Sequence, residues 1–310
     1  MTDYIRQHGN SISFPANGQS WVILSDIEKR IKDKIEKIGK PLKDWEINIY
    51  RGVLTGCNDA FIIDRDKRDE LIKNDHKSDE IIYPILRGRD IKRYSYEFAE
   101  QYIIATFPSK KYDIDEYPAV RDYLLEYGKY KLEQSGKLGA RKKTKNKWFE
   151  TQDPIAYWDD FSKQKIIYPD IMRMPRNKNL LNDYPYFYLD KQEFYAEATN
   201  FIMTGSNLEL IFSFLVSEIG FYIFSRFYSG PQFDETGFRY KKEYLNNLYV
   251  PLIDQSDSIA LLSCFNDKNA SSKKIDKICE EIFIKIIGLD IKEIELIKNY
   301  KKSLLSAGKT

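Results

Sequence analysis

The sequence predicts an α/β (α+β) chain built on a mixed β-sheet, with an N-terminal helix and a C-terminal helical hairpin. Three observations carry this. Apolar runs of strand length recur through the middle of the chain, without the regular strand–helix alternation of a doubly wound fold. Helical periodicity is confined to a few segments. From about Asp254 the composition turns to amphipathic helix alone. With 42% hydrophobic and 31% charged residues over 310 positions, a sizeable core under a charged surface is expected, and global disorder is not.

Taken in order, Ser25-Asp26-Ile27-Glu28 has capping-box spacing, and Ile27, Ile31, Ile35 and Ile38 follow at helical intervals until Gly39 and Pro41 stop the helix. Trp45, Ile47 and Ile49 alternate with polar neighbours, as in a strand. The turn-rich Gly52–Asp59 then leads to Phe61-Ile62-Ile63, so the expectation is a hairpin. Further strand-like runs are Ile81–Leu86, Tyr102–Phe107, Lys165–Ile171, Tyr186–Leu189, Phe201–Thr204 and Leu248–Ile253. Pro118 opens a helix with Val120, Tyr123, Leu124 and Tyr127 on one face, and a second helix is expected over Asn207–Phe227. Ile275 to Ile287 and Ile294 to Leu304 form two apolar stripes separated by Gly288, with Asp290 and Glu293 again at capping-box spacing. The expected organisation is a connecting segment and helix over residues 1–43, a mixed-sheet domain over 44–253 and a helical region over 254–310.

Several functional classes find no support. Three widely spaced cysteines (Cys57, Cys264, Cys279) form no C-x-x-C pair, which fits a reducing cytoplasm rather than a disulfide framework. The opening residues lack the layout of a signal peptide. Leu208–Tyr228 is apolar but interrupted by Glu209, Glu218 and Arg226, so it reads as a buried helix rather than a membrane span. No G-x-G-x-x-G or G-x-S-x-G motif occurs, and Gly308-Lys309-Thr310 mimics the end of a P-loop without its first glycine or a preceding strand. His8 and His76 stand in polar stretches without ligand partners. Pro169-Asp170 could begin a nuclease-like set of metal-binding acids, but no acid-x-lysine pair follows it.

Net charge is only +2, so contact with nucleic acid must rest on local clusters. Lys137–Lys147 holds six basic residues in eleven (among them Arg141, Lys142, Lys143, Lys145 and Lys147) and no acid. It reads either as a solvated loop or as a grip on phosphates, whose neutralisation releases counterions. Arg87-Gly88-Arg89-Asp90-Ile91-Lys92-Arg93 offers arginine forks suited to phosphate or guanine, although Asp90 can tie an arginine into a structural ion pair. Arg173, Arg176 and Lys178 are placed at a basic hairpin tip between two strands. Thr55 and Asn58 could read base edges, but a tight turn asks for the same residue types.

Several segments, in order, resemble one family. They are Tyr50–Phe61, Pro84–Ile91, Tyr157-Trp158 with Lys165–Pro169, then Tyr240, Tyr244-Leu245 and Leu248–Pro251, and finally Ile286, Gly288, Leu289, Glu293 and Ile294. Together they resemble the TaqI-like C-terminal specificity domain of type IIG restriction enzymes and adenine-N6 DNA methyltransferases, over about residues 20 to 305. The resemblance implies a target-recognition part whose partners are double-stranded DNA and a methyltransferase/endonuclease domain, either covalently linked or a separate subunit. It further implies no cofactor of its own, with S-adenosylmethionine and Mg²⁺ belonging to catalytic domains outside this chain. The family's Asn-Pro-Pro-Tyr/Phe motif does not occur, so no catalysis is expected from this chain alone.

Overall fold

A computed structural model describes residues 24–234, 236–267 and 270–307. The opening residues, His8 and Gly308-Lys309-Thr310 lie outside them. Helix α1 (Asp26–Ile38) starts where the Glu28 carboxylate accepts the Ser25 backbone N–H at 2.7 Å and its hydroxyl at 2.8 Å. It runs into β1 (Gly39–Pro41), which pairs with β12 (Tyr249–Pro251). The main sheet is antiparallel, in the order β2 (Ile47–Arg51), β10 (Asn200–Gly205), β6 (Lys165–Pro169), β8 (Tyr188–Asp190). A second sheet runs β3 (Ile62–Asp64), β5 (Gln101–Ile104), β4 (Ile82–Leu86), β9 (Tyr195–Ala196), its last pair parallel. The fold is therefore α/β with mixed sheets, as the sequence predicts.

The expected hairpin across Gly52–Asp59 does not form. β2 pairs with β10 and β3 with β5, so the turn-rich segment is a bridge between two sheets. Its last residues form the short helix α2 (Asn58–Phe61), followed beyond β3 by α3 (Arg65–Asn74). The helix opened by Pro118 does form, as α4 (Pro118–Leu132), with Val120 and Leu124 fully buried. Apolar residues enter three clusters. Ile166, Tyr168 and Met203 from the main sheet face the helical layer. Ile167 and Ile202, one residue away, face the second sheet. The period of two thus sends neighbours to opposite faces, and because both faces are covered, β6 beyond Lys165 reads as an apolar run.

The expected helix over Asn207–Phe227 is broken. α5 (Leu208–Val216) and α6 (Glu218–Ile223, prolonged by a π-helical turn to Tyr228) meet at a 75° bend at Ser217. The Ser217 backbone is extended, and its hydroxyl accepts the Gly220 N–H at 2.8 Å, capping α6. A Cβ at Gly220 would lie 1.8 Å from the Phe214 carbonyl oxygen, so the bend depends on that glycine. Among the described residues no single helix is long and apolar enough to cross a membrane; this bent pair matches by length and composition, and most of its side chains are buried in the core.

After α7 (Lys242–Leu245) and β12 come α8 (Gln255–Asn266), which the sequence reading did not separate from its surroundings, then α9 (Ser272–Ile287) and α10 (Ile291–Ala307). Gly288, at φ +68°, makes the tight turn between the last two. The fully buried Glu293 carboxylate accepts from Lys34 of α1 at 2.6 Å and from the Asp290 N–H at 2.9 Å, tying α10 to α1.

Where α9 and α10 meet α6, Glu280 accepts the Glu218 N–H at 2.7 Å and Lys301 donates to the Tyr184 carbonyl at 2.8 Å. Burial, aided by the nearby Glu218 carboxylate, pushes Glu280 up to about 7, and burial pulls Lys301 down to about 8. For Glu280, whose folded value exceeds its ordinary 4.5, stabilisation is complete below 4.5 and lost as pH rises through about 7. Lys301 acts at higher pH, where its stabilisation is lost as pH falls through about 8. Glu280→Gln is therefore expected to flatten the decline of stability between pH 5 and 7, by on the order of 2 kcal/mol. Urea midpoints across that range check it; a variant as steep as the parent refutes it.

Candidate nucleic-acid interface

Strand register gathers residues from four distant segments at one rim. β2 ends at Arg51 opposite Phe201, and β6 ends at Pro169 opposite Asn200. β4 ends at Leu86 beside Ala196. The rim is held together by bonds to main-chain carbonyls. Asn200 Nδ2 donates to the Leu86 carbonyl at 2.8 Å, Gly52 N to the Asn200 carbonyl at 2.8 Å, and Asp170 N to the Thr199 carbonyl at 2.8 Å. Gly52 has no alternative here, because a Cβ would sit 2.2 Å from the Glu197 carbonyl oxygen.

On this frame Arg51, Asn58, Arg89 and Thr199 are exposed and Glu197 is half-buried. The Glu197 carboxylate accepts from the Thr199 N–H at 3.0 Å and hydroxyl, and from Asn58 Nδ2 at 3.4 Å. Thr55 is fully buried. Its hydroxyl donates to Asn58 Oδ1 at 2.6 Å and accepts the Cys57 N–H at 3.1 Å, so it serves the turn and cannot face a base.

The basic loop joins this rim through Arg141. Its guanidinium donates to the carbonyls of Leu132, Thr55 and Glu150 at 2.8 Å each and of Trp148 at 2.6 Å, and lies 5.0 Å from the Phe61 ring centre. Burial lowers it to about 10, and it is only 5% exposed. Arg141 is thus removed from the outward-facing candidates: it is the bolt of the loop, because four inward carbonyls need a fork of donors. Gln134 and Asn146 brace the same loop, with Gln134 Nε2 on the Glu150 carbonyl at 3.0 Å and Asn146 Nδ2 on the Gln152 carbonyl at 2.9 Å. Lys142, Lys143, Lys145 and Lys147 remain exposed, the last 5.3 Å from the Phe149 ring centre.

The Arg87–Arg93 segment divides. Arg87 chelates Asp90 at 2.9 and 3.0 Å, the structural pairing that the spacing allows, and this pairing raises its pKa further. Arg93, 6% exposed, donates to both Asp276 oxygens at 2.6 and 3.1 Å and to the Val216 carbonyl at 2.8 Å. It is a clamp on α9 and points inward, a correction to its place among surface candidates. Lys92 pairs with Glu97 at 3.2 Å, and Arg89 has no ion-pair partner among the described residues.

Arg173, Arg176 and Lys178 do not occupy a hairpin tip. β7 (Ile171–Arg173) leaves the main sheet to pair with β11 (Gly237–Arg239), and a helical turn follows at Lys178–Asp183. The side chains of these three basic residues are exposed, with Arg173 held by Asp234 at 2.8 Å. Met172 and Met174, on either side of Arg173, are buried. Sequence reasoning missed Glu197, Thr199 and Asn200: a short polar stretch between two strands carries no motif, and only non-local pairing brings it to the rim. Among the described residues no group of three or more His, Cys, Asp or Glu side chains converges as a metal site would require, around Asp170 or elsewhere.

No family model and no curated protein matches the sequence. Solved structures do match in fold. The type IIG restriction endonuclease BpuSI superposes with a TM-score of 0.57 at 18% identity, over 90% of this chain and 32% of that one. The type IIL restriction-modification enzyme MmeI, solved in complex with DNA, gives 0.52 at 13% identity, over 87% of this chain and 37% of that one. The chain therefore spans about a third of the length of these restriction-modification enzymes, and shares with that third its fold.

Proposed function

We propose that this chain is the target-recognition part of a type IIG-like restriction-modification enzyme that methylates adenine at N6, and that it reads double-stranded DNA. The observation that carries this is the fold likeness, over about nine-tenths of the chain, to a third of two such enzymes, one of them solved with DNA. The arrangement of charge supports it. The four lysines bolted down by Arg141 suit phosphates, which set register without carrying sequence. Asn58, Arg89, Glu197 and Thr199 are of the types that read base edges: asparagine for adenine, arginine for guanine, and a carboxylate for the amino group of cytosine. A half-buried carboxylate in a phosphate-facing rim would repel its ligand unless it met such a donor. Methyl transfer and cleavage, with their S-adenosylmethionine and Mg²⁺, belong in this reading to a partner domain or subunit.

Two variants separate the two roles. Replacing Lys142, Lys143, Lys145 and Lys147 together with alanine is expected to weaken duplex binding by about tenfold or more. It should also flatten the slope of log K against log salt by about 0.9 per lost contact, with base preference unchanged. Glu197→Ala should do the reverse, altering preference at one base position and leaving the slope alone. Selection from a randomised duplex library, followed by salt titration, reads both. Failure of the parent chain to bind duplex even at low ionic strength would overturn the proposal.

A further inference from the structure

The β7–β11 ribbon carries an arrangement that the rim does not use. Phe233, at the turn before β11, keeps 45% of its surface exposed. Two guanidinium carbons lie against its ring, Arg173 at 4.8 Å and Arg239 at 5.0 Å from the centroid. Two hydrogen bonds flank the turn: Phe233 N donates to the Gly237 carbonyl at 3.0 Å, and the Asp234 carboxylate accepts the Thr236 N–H at 3.1 Å. Beside it opens a cavity of about 630 Å³ lined by Arg173, Met174, Arg176, Asp234 and Thr236. Among the described residues Asp234 is the one acid in that lining, and it is engaged by Arg173. Among the described residues neither Arg176 nor Arg239 has an ion-pair partner. The ribbon also joins the rim directly, since Tyr240 N donates to the Asp170 carbonyl at 2.8 Å and Asp170 N to the Thr199 carbonyl.

The exposed Phe233 ring stands between two cationic side chains. Here it attracts two guanidinium groups to its face, so less rotamer freedom is lost when their N–H edges meet a ligand. We propose that this ribbon is a second phosphate clamp on the duplex, in which Arg239 and Arg176 bind backbone phosphates and Phe233 is the positioning residue. The inference rests on the reading of the chain as a DNA-recognition part, and extends it to residues outside the rim and the basic loop. A two-stranded ribbon is narrow enough to lie along a groove, and a stacked, forked cation suits a phosphate oxygen pair.

The test is anisotropy of a labelled mixed-sequence duplex, titrated with salt, for the whole chain. Arg239→Ala and Arg176→Ala should each lower the salt slope by about 0.9. Phe233→Leu, which keeps apolar bulk but loses the ring face, should lower both affinity and slope while leaving the melting temperature near that of the parent. A merely structural ring would shift the melting temperature and leave the slope alone. If Arg239→Ala melts early, Arg176→Ala, at an exposed side chain, still decides. A parent that binds and variants that keep its slope and affinity would overturn the clamp. A parent that does not bind duplex would instead overturn the reading on which it rests.

Discussion

Arg141→Ala is expected to destabilise the protein by about 3–5 kcal/mol and to release the basic loop from the rim. The guanidinium donates to four carbonyls, of residues 55, 132, 148 and 150, the farthest 86 positions from Arg141, so one substitution strips a charged donor from all four. Hydrogen bonds to a charged donor contribute about 1.5–3 kcal/mol each, and acceptors left dry cost more than those that reach water. The total stays below the simple sum because burying the cation already costs free energy, visible in its lowered pKa. Arg141→Lys should recover less than half, since a single ammonium cannot reach carbonyls arranged around a planar fork. Urea unfolding gives the stability change, and hydrogen exchange across residues 142–149 shows whether the loop has come free. A loss under about 1 kcal/mol, with exchange unchanged, would show that the fork is not what holds the loop.

Asp190→Ala is expected to be of similar size for a different reason. Lys165 and Asp190 are both fully buried and meet at 2.6 Å at the pairing of β6 with β8. Asp190 also accepts the Gln192 N–H at 2.8 Å and the Phe194 N–H at 3.0 Å, while Lys165 reaches the Phe161 carbonyl. Burial already depresses the Lys165 pKa, and Asp190 is the chief opposing influence. Removing the carboxylate leaves an unpaired ammonium in a dry core, at a cost of about 3–5 kcal/mol, most of it at neutral pH and less at high pH where the lysine gives up its proton. Removing both charges is a different matter. Lys165→Met with Asp190→Leu should come within about 1–2 kcal/mol of the parent, because an apolar pair of similar volume escapes desolvation. If the double variant is no better than Asp190→Ala, the charges matter for more than mutual compensation.

Both predictions fall where the sequence was hard to read. Periodicity located α1, α4, α9 and α10 because each has an amphipathic stripe and a recognisable start or stop, and capping at Ser25 and Asp290 follows directly from residue type. Periodicity failed at Ser217, where an apolar run continues through a break set by one hydroxyl and one glycine. It failed also at Gly52–Asp59, where the turn signal was real but the pairing partner lay far along the chain in β10, Arg51 standing opposite Phe201. For the candidate surface, residue type identified the basic segments, yet could not say which cations face outward. Arg93 and Arg141 look like their neighbours in the sequence and differ only in having carbonyls or a carboxylate packed around them. Glu197 and Thr199 were invisible for the opposite reason: nothing local marks them, and a parallel strand pair between β4 and β9 places them.

The rim's construction has a consequence for how this protein can change. What fixes its shape is bonding to main chain, with the Asn200 side-chain amide on the Leu86 carbonyl and the Gly52 backbone against the Glu197 carbonyl. The side chains that face outward at Arg89 and Thr199 bear little of that load, and substitutions at such exposed positions shift stability by only about 0.5 kcal/mol. Shape and chemical identity are therefore inherited separately: Gly52 and Asn200 must persist, whereas the outward residues can drift or be exchanged without re-solving the folding problem. A lineage carrying this rim can sample new surface chemistries one residue at a time, each step remaining foldable.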